Sequence, residues 1–310
     1  MQEYGKKYLT AQNTTVVISP HEIEKYPSGM VHLDDISVID TMIGFKDADS
    51  AHYVPPSVRE QDKGEQHVAD YIFTDVPVKE GQNDAVKRTL EAMDANGVSM
   101  GLVTLMGTHA LNAAKNYPDR FILCSHVSAN DVMEAVKTIH SEHEEHATRA
   151  VSVFPAGTVP QVPINDAKMY PVYAACVDLD LPIFINAGVP GPRVPGESQH
   201  VGLFDSICYD FPDLKVVMRH GGEPDEDLAI KLMLKWPNLF YSTSAFSPKH
   251  YPTTIINYAN TRGAEKILYG GYFPFALELD RIFEELRSVP FRDHVWEPFL
   301  RTNAARLLHL

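Results

Sequence analysis

Eight short apolar runs alternate with amphipathic stretches along most of the chain, and this alternation restricts the fold more than any other feature. The runs are SVIDTMIG (37–44), MGLVTLM (100–106), RFILCSHV (120–127), RAVSVFPA (149–156), LPIFINAG (181–188), LKVVMRHG (214–221), LFYSTSA (239–245) and KILYGGYF (266–273). Their nearly continuous apolar character is that of parallel strands covered on both faces. Between them stand DAVKRTLEAMDANG (84–97), YPVYAACVDLD (170–180), DLAIKLMLKW (227–236) and TTIINYANTRG (253–263). Several of these close on Asn-Gly, Arg-Gly or Pro, which terminate helices. Eight β/α alternations predict an α/β fold, a single (β/α)8 TIM barrel, in preference to a doubly wound sheet. A chain of 310 residues with 44% hydrophobic residues has the length and apolar content for that one core.

No shift of composition marks a second domain. Residues 1–36 read as a polar N-terminal arm and 37–310 as the barrel. Three loops exceed what a minimal barrel needs: 45–81, rich in His, Tyr, Pro and acidic residues; FPAGTVPQVPINDAKMYP (154–171); and GVPGPRVPGESQH (188–200). All three follow strands, so they are expected at the catalytic face of the barrel as lids or substrate walls.

A net charge of −14 argues against nucleic acid or an anionic membrane surface as a partner. The three cysteines, Cys124, Cys176 and Cys208, are odd in number, lack metal-ligand spacing and sit in apolar stretches, which fits small core residues in a reducing compartment. The first residues, MQEYGKKYLTAQ, contain no apolar core of a secretory signal, and no uncharged apolar run reaches the roughly 18 residues of a membrane span. The expectation is a soluble, cytoplasmic protein acting on a small molecule.

Four segments carry a family resemblance: VIDTMIGF (38–45), FINAG (184–188), VVMRHGGEP (216–224) and ILYGGYFP (267–274). STSAFSPKHYP (242–252) and the closing PFRDHVWEPFLRTNAARLL (290–308) extend it to the end of the chain. In order and spacing they resemble the strand-end motifs of the amidohydrolase-related family, which includes the aminocarboxymuconate-semialdehyde and γ-resorcylate decarboxylases. Members usually carry D-x-H-x-H after the first strand, a His ending the fifth, a His ending the sixth, and an Asp after the eighth. In this chain the corresponding positions hold Met42 and Gly44, Asn186, His220 and Tyr272. Only His220 is kept, and in the decarboxylase branch that position resembles the general acid/base. The resemblance therefore implies the barrel and an acid/base histidine, but not the usual zinc chemistry. Relatives are commonly dimers, which makes a homodimer the implied assembly.

The residues themselves support a compatible set of candidates. His220 ends a strand before two glycines, which sets an imidazole at the barrel mouth, where its ordinary pKa suits proton transfer. A strand-end histidine held by structural hydrogen bonds is the plain alternative. Glu223 could orient or protonate it, or favour the positive end of the next helix. Tyr272 is either a hydrogen-bond donor or a ring filling space. Asn186 can hold a substrate carbonyl, and Arg193 is the loop residue best suited to a carboxylate. Met42 should line the substrate site; Met and Gly at 42 and 44 cannot bind a hard metal. Ser244 can donate a hydrogen bond, though no Ser-His-Asp arrangement accompanies it. His109, His126, His200 and His250 follow strands and form the one relocated zinc set the sequence offers, against a simpler role as polar walls. The HSEHEEH run (140–146) precedes a strand and reads as a solvated helix end. Arg219, next to His220, is expected to point outward among the helices if the strand alternates through both.

Three functions compete on this reading. The first is a metal-independent lyase or hydrolase for a small carboxylated or cyclic substrate, with His220 as proton shuttle. The second is a ligand-binding homologue without turnover. The third is a zinc enzyme using the relocated histidines.

Overall fold

A computed structural model describes residues 8–11, 14–17, 33–45, 54–64, 69, 71–73 and 85–310. Eight parallel strands form the barrel: β1 Val38–Ile43, β2 Val98–Thr104, β3 Phe121–His126, β4 Ala150–Val153, β5 Ile183–Asn186, β6 Val216–Arg219, β7 Leu239–Ser242 and β8 Ile267–Leu268. Each is hydrogen-bonded to the next in chain order. The helices between them are α1 Ala85–Ala95, α2 Gly107–Asn116, α3 Val132–His146, α4 Tyr170–Asp178, α5 Phe204–Asp210, α6 Glu226–Lys235 and α7 Thr253–Tyr258. After β8 come α8 Leu279–Leu286, α9 Asp293–Glu297 and α10 Asn303–Leu308.

The continuous burial of the strands hides a period of two. Val216 and Met218 of β6 belong to the layer between sheet and helices, whereas Val217 points into the barrel with Ile39, Leu102, Ile122, Phe184 and Leu268. Ala304, Leu307 and Leu308 of α10 pack on that same interior cluster. The sheet thus separates two apolar layers, so both faces of every strand favour burial.

The 266–273 run is a strand for only two residues. Beyond Leu268 the sheet closes through single contacts: Thr41 N donates to Tyr269 O (3.2 Å), Tyr272 N to Met42 O (2.9 Å) and Gly44 N to Phe273 O (2.8 Å). The buried Asp40 carboxylate secures this seam, its Oδ1 accepting from Met42 N (2.9 Å) and Gly271 N (2.8 Å). Gly271 is required there, because a Cβ would run into Asp40 Oδ2 and lie 2.7 Å from Tyr269 Oη.

Of the N-terminal arm, Tyr8–Ala11 pairs antiparallel with Thr14–Val17, and most of the remainder lies outside the described residues. Much of the 45–81 insertion also lies outside them. Among the described residues no helix is long and apolar enough to cross a membrane, and all three cysteines are free and buried. The 140–146 cluster ends α3 with mostly exposed side chains, and His143 Nδ1 caps the turn at Thr148 O (2.8 Å).

Candidate active site

A cavity of about 780 Å³ opens where the strands end. Met42, His126, Asn186 and Arg219 reach it from β1, β3, β5 and β6. All three long loops contribute to its walls: Ile72 and Phe73 from the first, Phe154 from the second, and Val189, Pro190 and Gln199 from the third.

Arg219 overturns its expected direction. Val217 points into the barrel, so strand alternation sends Arg219, two residues on, inward as well. Asn186 is its register partner on β5 and lines the same cavity. Arg219 is only 5% exposed, lies 5.2 Å from the Phe184 ring, and its Nε has no hydrogen-bond partner. Burial lowers its pKa, with the Cys124 thiol within hydrogen-bonding reach.

His220 reaches the cavity by another route. The strand ends at Arg219, and His220, Gly221 and Gly222 follow with φ of 65°, 77° and 69°. This left-handed turn swings the imidazole back over the barrel. Glycine is needed at 221, where a Cβ would lie 2.8 Å from Phe246 and 3.0 Å from Tyr241 Oη. His220 itself holds a backbone conformation that costs a non-glycine residue about 1–2 kcal/mol. The buried Ser244 fixes the ring: its Oγ lies 3.1 Å from Nδ1 and accepts from the His220 backbone N (3.3 Å). Ser244 O lies 3.4 Å from Nδ1, and a carbonyl can only accept, so the proton belongs on Nδ1 and the Nε2 lone pair has no partner among the described residues. Burial, and then the Arg219 charge, lower the imidazole to about 3. His126 is likewise lowered to about 4, for the same two reasons, with Nδ1 at 3.0 Å from Ser152 Oγ. Both rings are neutral at physiological pH.

Tyr272 (φ 61°) meets His220 edge-to-face at 5.4 Å and stacks with Phe73 at 5.9 Å. Burial pushes its phenol up to about 12, so it stays protonated. Phe275, which the sequence reading missed, packs 5.4 Å from Tyr272 and fills the space over Gly44. A Cβ at position 44 would lie 2.6 Å from the Phe275 ring tip.

These residues do not fit a metal. A thioether, a glycine, an amide and a protonated phenol occupy the usual ligand positions, an aromatic ring covers one of them, and an arginine cation lines the same space. The relocated set does not assemble either. His200 lies outside the cavity, paired with Asp225 at 3.2 Å, while His109, His126 and His250 line it at separate places. Among the described residues no three His, Cys, Asp or Glu side chains gather to hold an ion.

The remaining candidates divide plainly. Glu223 lines the cavity at its exposed rim and does not start α6, which begins at Glu226 with Asp225 as its N-cap. Arg193 is not brought to the cavity; it stacks on Tyr71 at 4.4 Å on the outer surface. Ser244 stands behind His220 and touches the cavity only through it.

The sequence model of the amidohydrolase family matches residues 30–310. The chain belongs to the amidohydrolase family. Solved structures agree in fold with this amidohydrolase-family chain. An uncharacterised TIM-barrel protein from Bordetella bronchiseptica is 24% identical with a TM-score of 0.73, covering 88% of this chain and 98% of that one. A 5-carboxyvanillate decarboxylase from Novosphingobium aromaticivorans, with bound manganese, is 16% identical over 89% and 98%, TM-score 0.62. A probable 2-pyrone-4,6-dicarboxylic acid hydrolase from Acinetobacter baumannii, with citric acid bound, is 16% identical over 89% and 100%, TM-score 0.60. At these identities the likeness establishes the fold alone. A search of curated proteins finds no match.

Proposed function

We propose that this amidohydrolase-family protein is a metal-independent lyase or hydrolase, turning over a small carboxylated or cyclic substrate with His220 as general acid/base. The observation that carries the reading is the His220 imidazole: it lines the cavity, is oriented by Ser244, and has an Nε2 lone pair with no partner among the described residues. A neutral imidazole so held accepts a proton from a substrate or an attacking water and can return it later in the cycle. Tyr272, protonated and beside it, is a donor for charge developing on a substrate oxygen, and the Asn186 amide offers both donor and acceptor. Decarboxylases and a probable hydrolase among proteins of this fold support the reaction classes. The donor set in the cavity supports metal independence.

The test is a panel of small aromatic and unsaturated carboxylic acids and lactones, followed by product analysis with the parent protein and His220→Asn. Asparagine suits the variant because it tolerates a left-handed backbone. Turnover should fall by about 10²–10⁴-fold and should survive chelation in the parent. Activity that persists in His220→Asn removes the proton shuttle, and activity that chelators abolish removes metal independence.

A further inference from the structure

We propose that Arg219 is the anion receptor of the cavity, taking in the planar carboxylate of a small acid whose flat apolar body lies among the aromatic walls. The proposal rests on the reading above only in taking the cavity as the substrate site, and it requires no turnover.

An almost fully buried guanidinium is costly unless paired. Arg219 has an unpartnered Nε and no carboxylate pairs with it among the described residues, so its only compensation is the Phe184 face and the Cys124 thiol. The other cations lining the cavity already have a carboxylate partner: Arg281 and Lys249 share Glu285, at 3.0 and 3.5 Å. The groups closest in chemistry to Arg219, the imidazoles of His126 and His220 and the phenol of Tyr272, are neutral. Among the described residues Arg219 is therefore the lining cation with no carboxylate partner, and one monoanion balances it.

The form of the anion follows from the donor. The planar fork of an arginine presents paired N–H groups that match the two oxygens of a carboxylate. A tetrahedral dianion would bring a second negative charge, which the one guanidinium does not balance. The cavity walls include Phe45, Phe73, Phe154, Phe246, Phe275 and Leu277, which suit a ligand whose remainder is hydrophobic and ring-sized. A guanidinium thus performs the anchoring for which the cavity has no metal-binding donor set.

Calorimetric titration of the full chain with benzoate, benzamide and phenylphosphonate tests this. Benzoate should bind, and at least about tenfold more tightly than the isosteric but neutral benzamide or the dianionic phosphonate. Arg219→Gln should weaken benzoate by about 10- to 100-fold, with Arg219→Lys in between because it keeps the charge and loses the fork. In the parent, benzoate should raise the titration midpoint of His126 measured by NMR. Benzoate binding is read without turnover, so a protein that binds benzoate but turns nothing over keeps the receptor and loses only the proton shuttle. Equal affinity for benzoate and benzamide, no binding of benzoate, stronger binding of the phosphonate, or unchanged affinity in Arg219→Gln would each overturn the proposal. The first three comparisons need only the parent protein, so a variant that fails to fold does not shield it.

Discussion

Arg219 and His220 are consecutive in the chain and both line one cavity, which regular strand geometry does not allow. Arg219 points inward as the last residue of β6, and His220 is returned to the same side by φ of 65° in the residue that follows the strand. The histidine and the arginine are therefore coupled through a single turn, and that turn depends on the glycines behind it.

Replacing Gly221 by alanine should expose that dependence. The new Cβ must adopt φ of 77° and approach Phe246 and Tyr241 Oη. Unfolding in urea should show a loss of about 2 kcal/mol or more. A loss within experimental error would mean the turn is not constrained as described.

Gly44 and Phe275 should be energetically coupled. Gly44→Ala forces a methyl against the Phe275 ring tip and is expected to cost about 1–3 kcal/mol. In Phe275→Leu the same substitution should cost clearly less, giving a coupling energy of at least about 0.5 kcal/mol in a double-mutant cycle. Additive effects would separate the two residues.

Removing the hydroxyl behind the catalytic candidate should loosen it without removing it. Ser244→Ala deletes the Oγ contacts to His220 Nδ1 and backbone N. Once a substrate is in hand, kcat should fall by about 10- to 100-fold with KM little changed, because orientation and not binding is lost. A change confined to KM would contradict a positioning role.

Stability should respond to pH in two opposing ways. His220 and His126 are lowered to about 3 and about 4, so on acidification the unfolded chain takes up their protons first. Their contribution is complete above the ordinary histidine value and is lost as pH falls from about 6.5 through 4 towards 3. Asp40 runs in reverse, since burial raises it from 3.8 to about 7 despite two backbone donors. Its contribution is complete below the lower value and is lost as pH rises through the upper one. Asp40→Asn removes the second dependence, so the stability of the variant relative to the parent should rise from about pH 5 to about pH 8. A constant difference in urea midpoints across that range would show that Asp40 does not titrate there.

The eight strands, their parallel order and the long walls after β1 and β5 were legible in the sequence, because burial on both faces writes itself as uninterrupted apolar runs and strand-end loops gather by topology. The same holds for the strand-end positions of Met42, Asn186 and Tyr272. What the sequence could not fix was the phase of the strand at its end. Counting alternation back from His220 sent Arg219 outward, whereas counting forward from Val217 sends it inward, and only backbone dihedrals distinguish the two. The His-Gly-Gly run was the available signal, since two glycines after a strand permit a left-handed turn. Arg193 was chosen by residue type and loop position, and its stacking on Tyr71 depends on a segment more than a hundred residues away. Phe275 over Gly44 is equally a contact between distant parts of the chain. Local pattern determined the elements and their order, because hydrophobic periodicity is a property of neighbours in sequence; which side chains share the cavity was decided by tertiary structure, because that depends on the ends of strands, where periodicity stops.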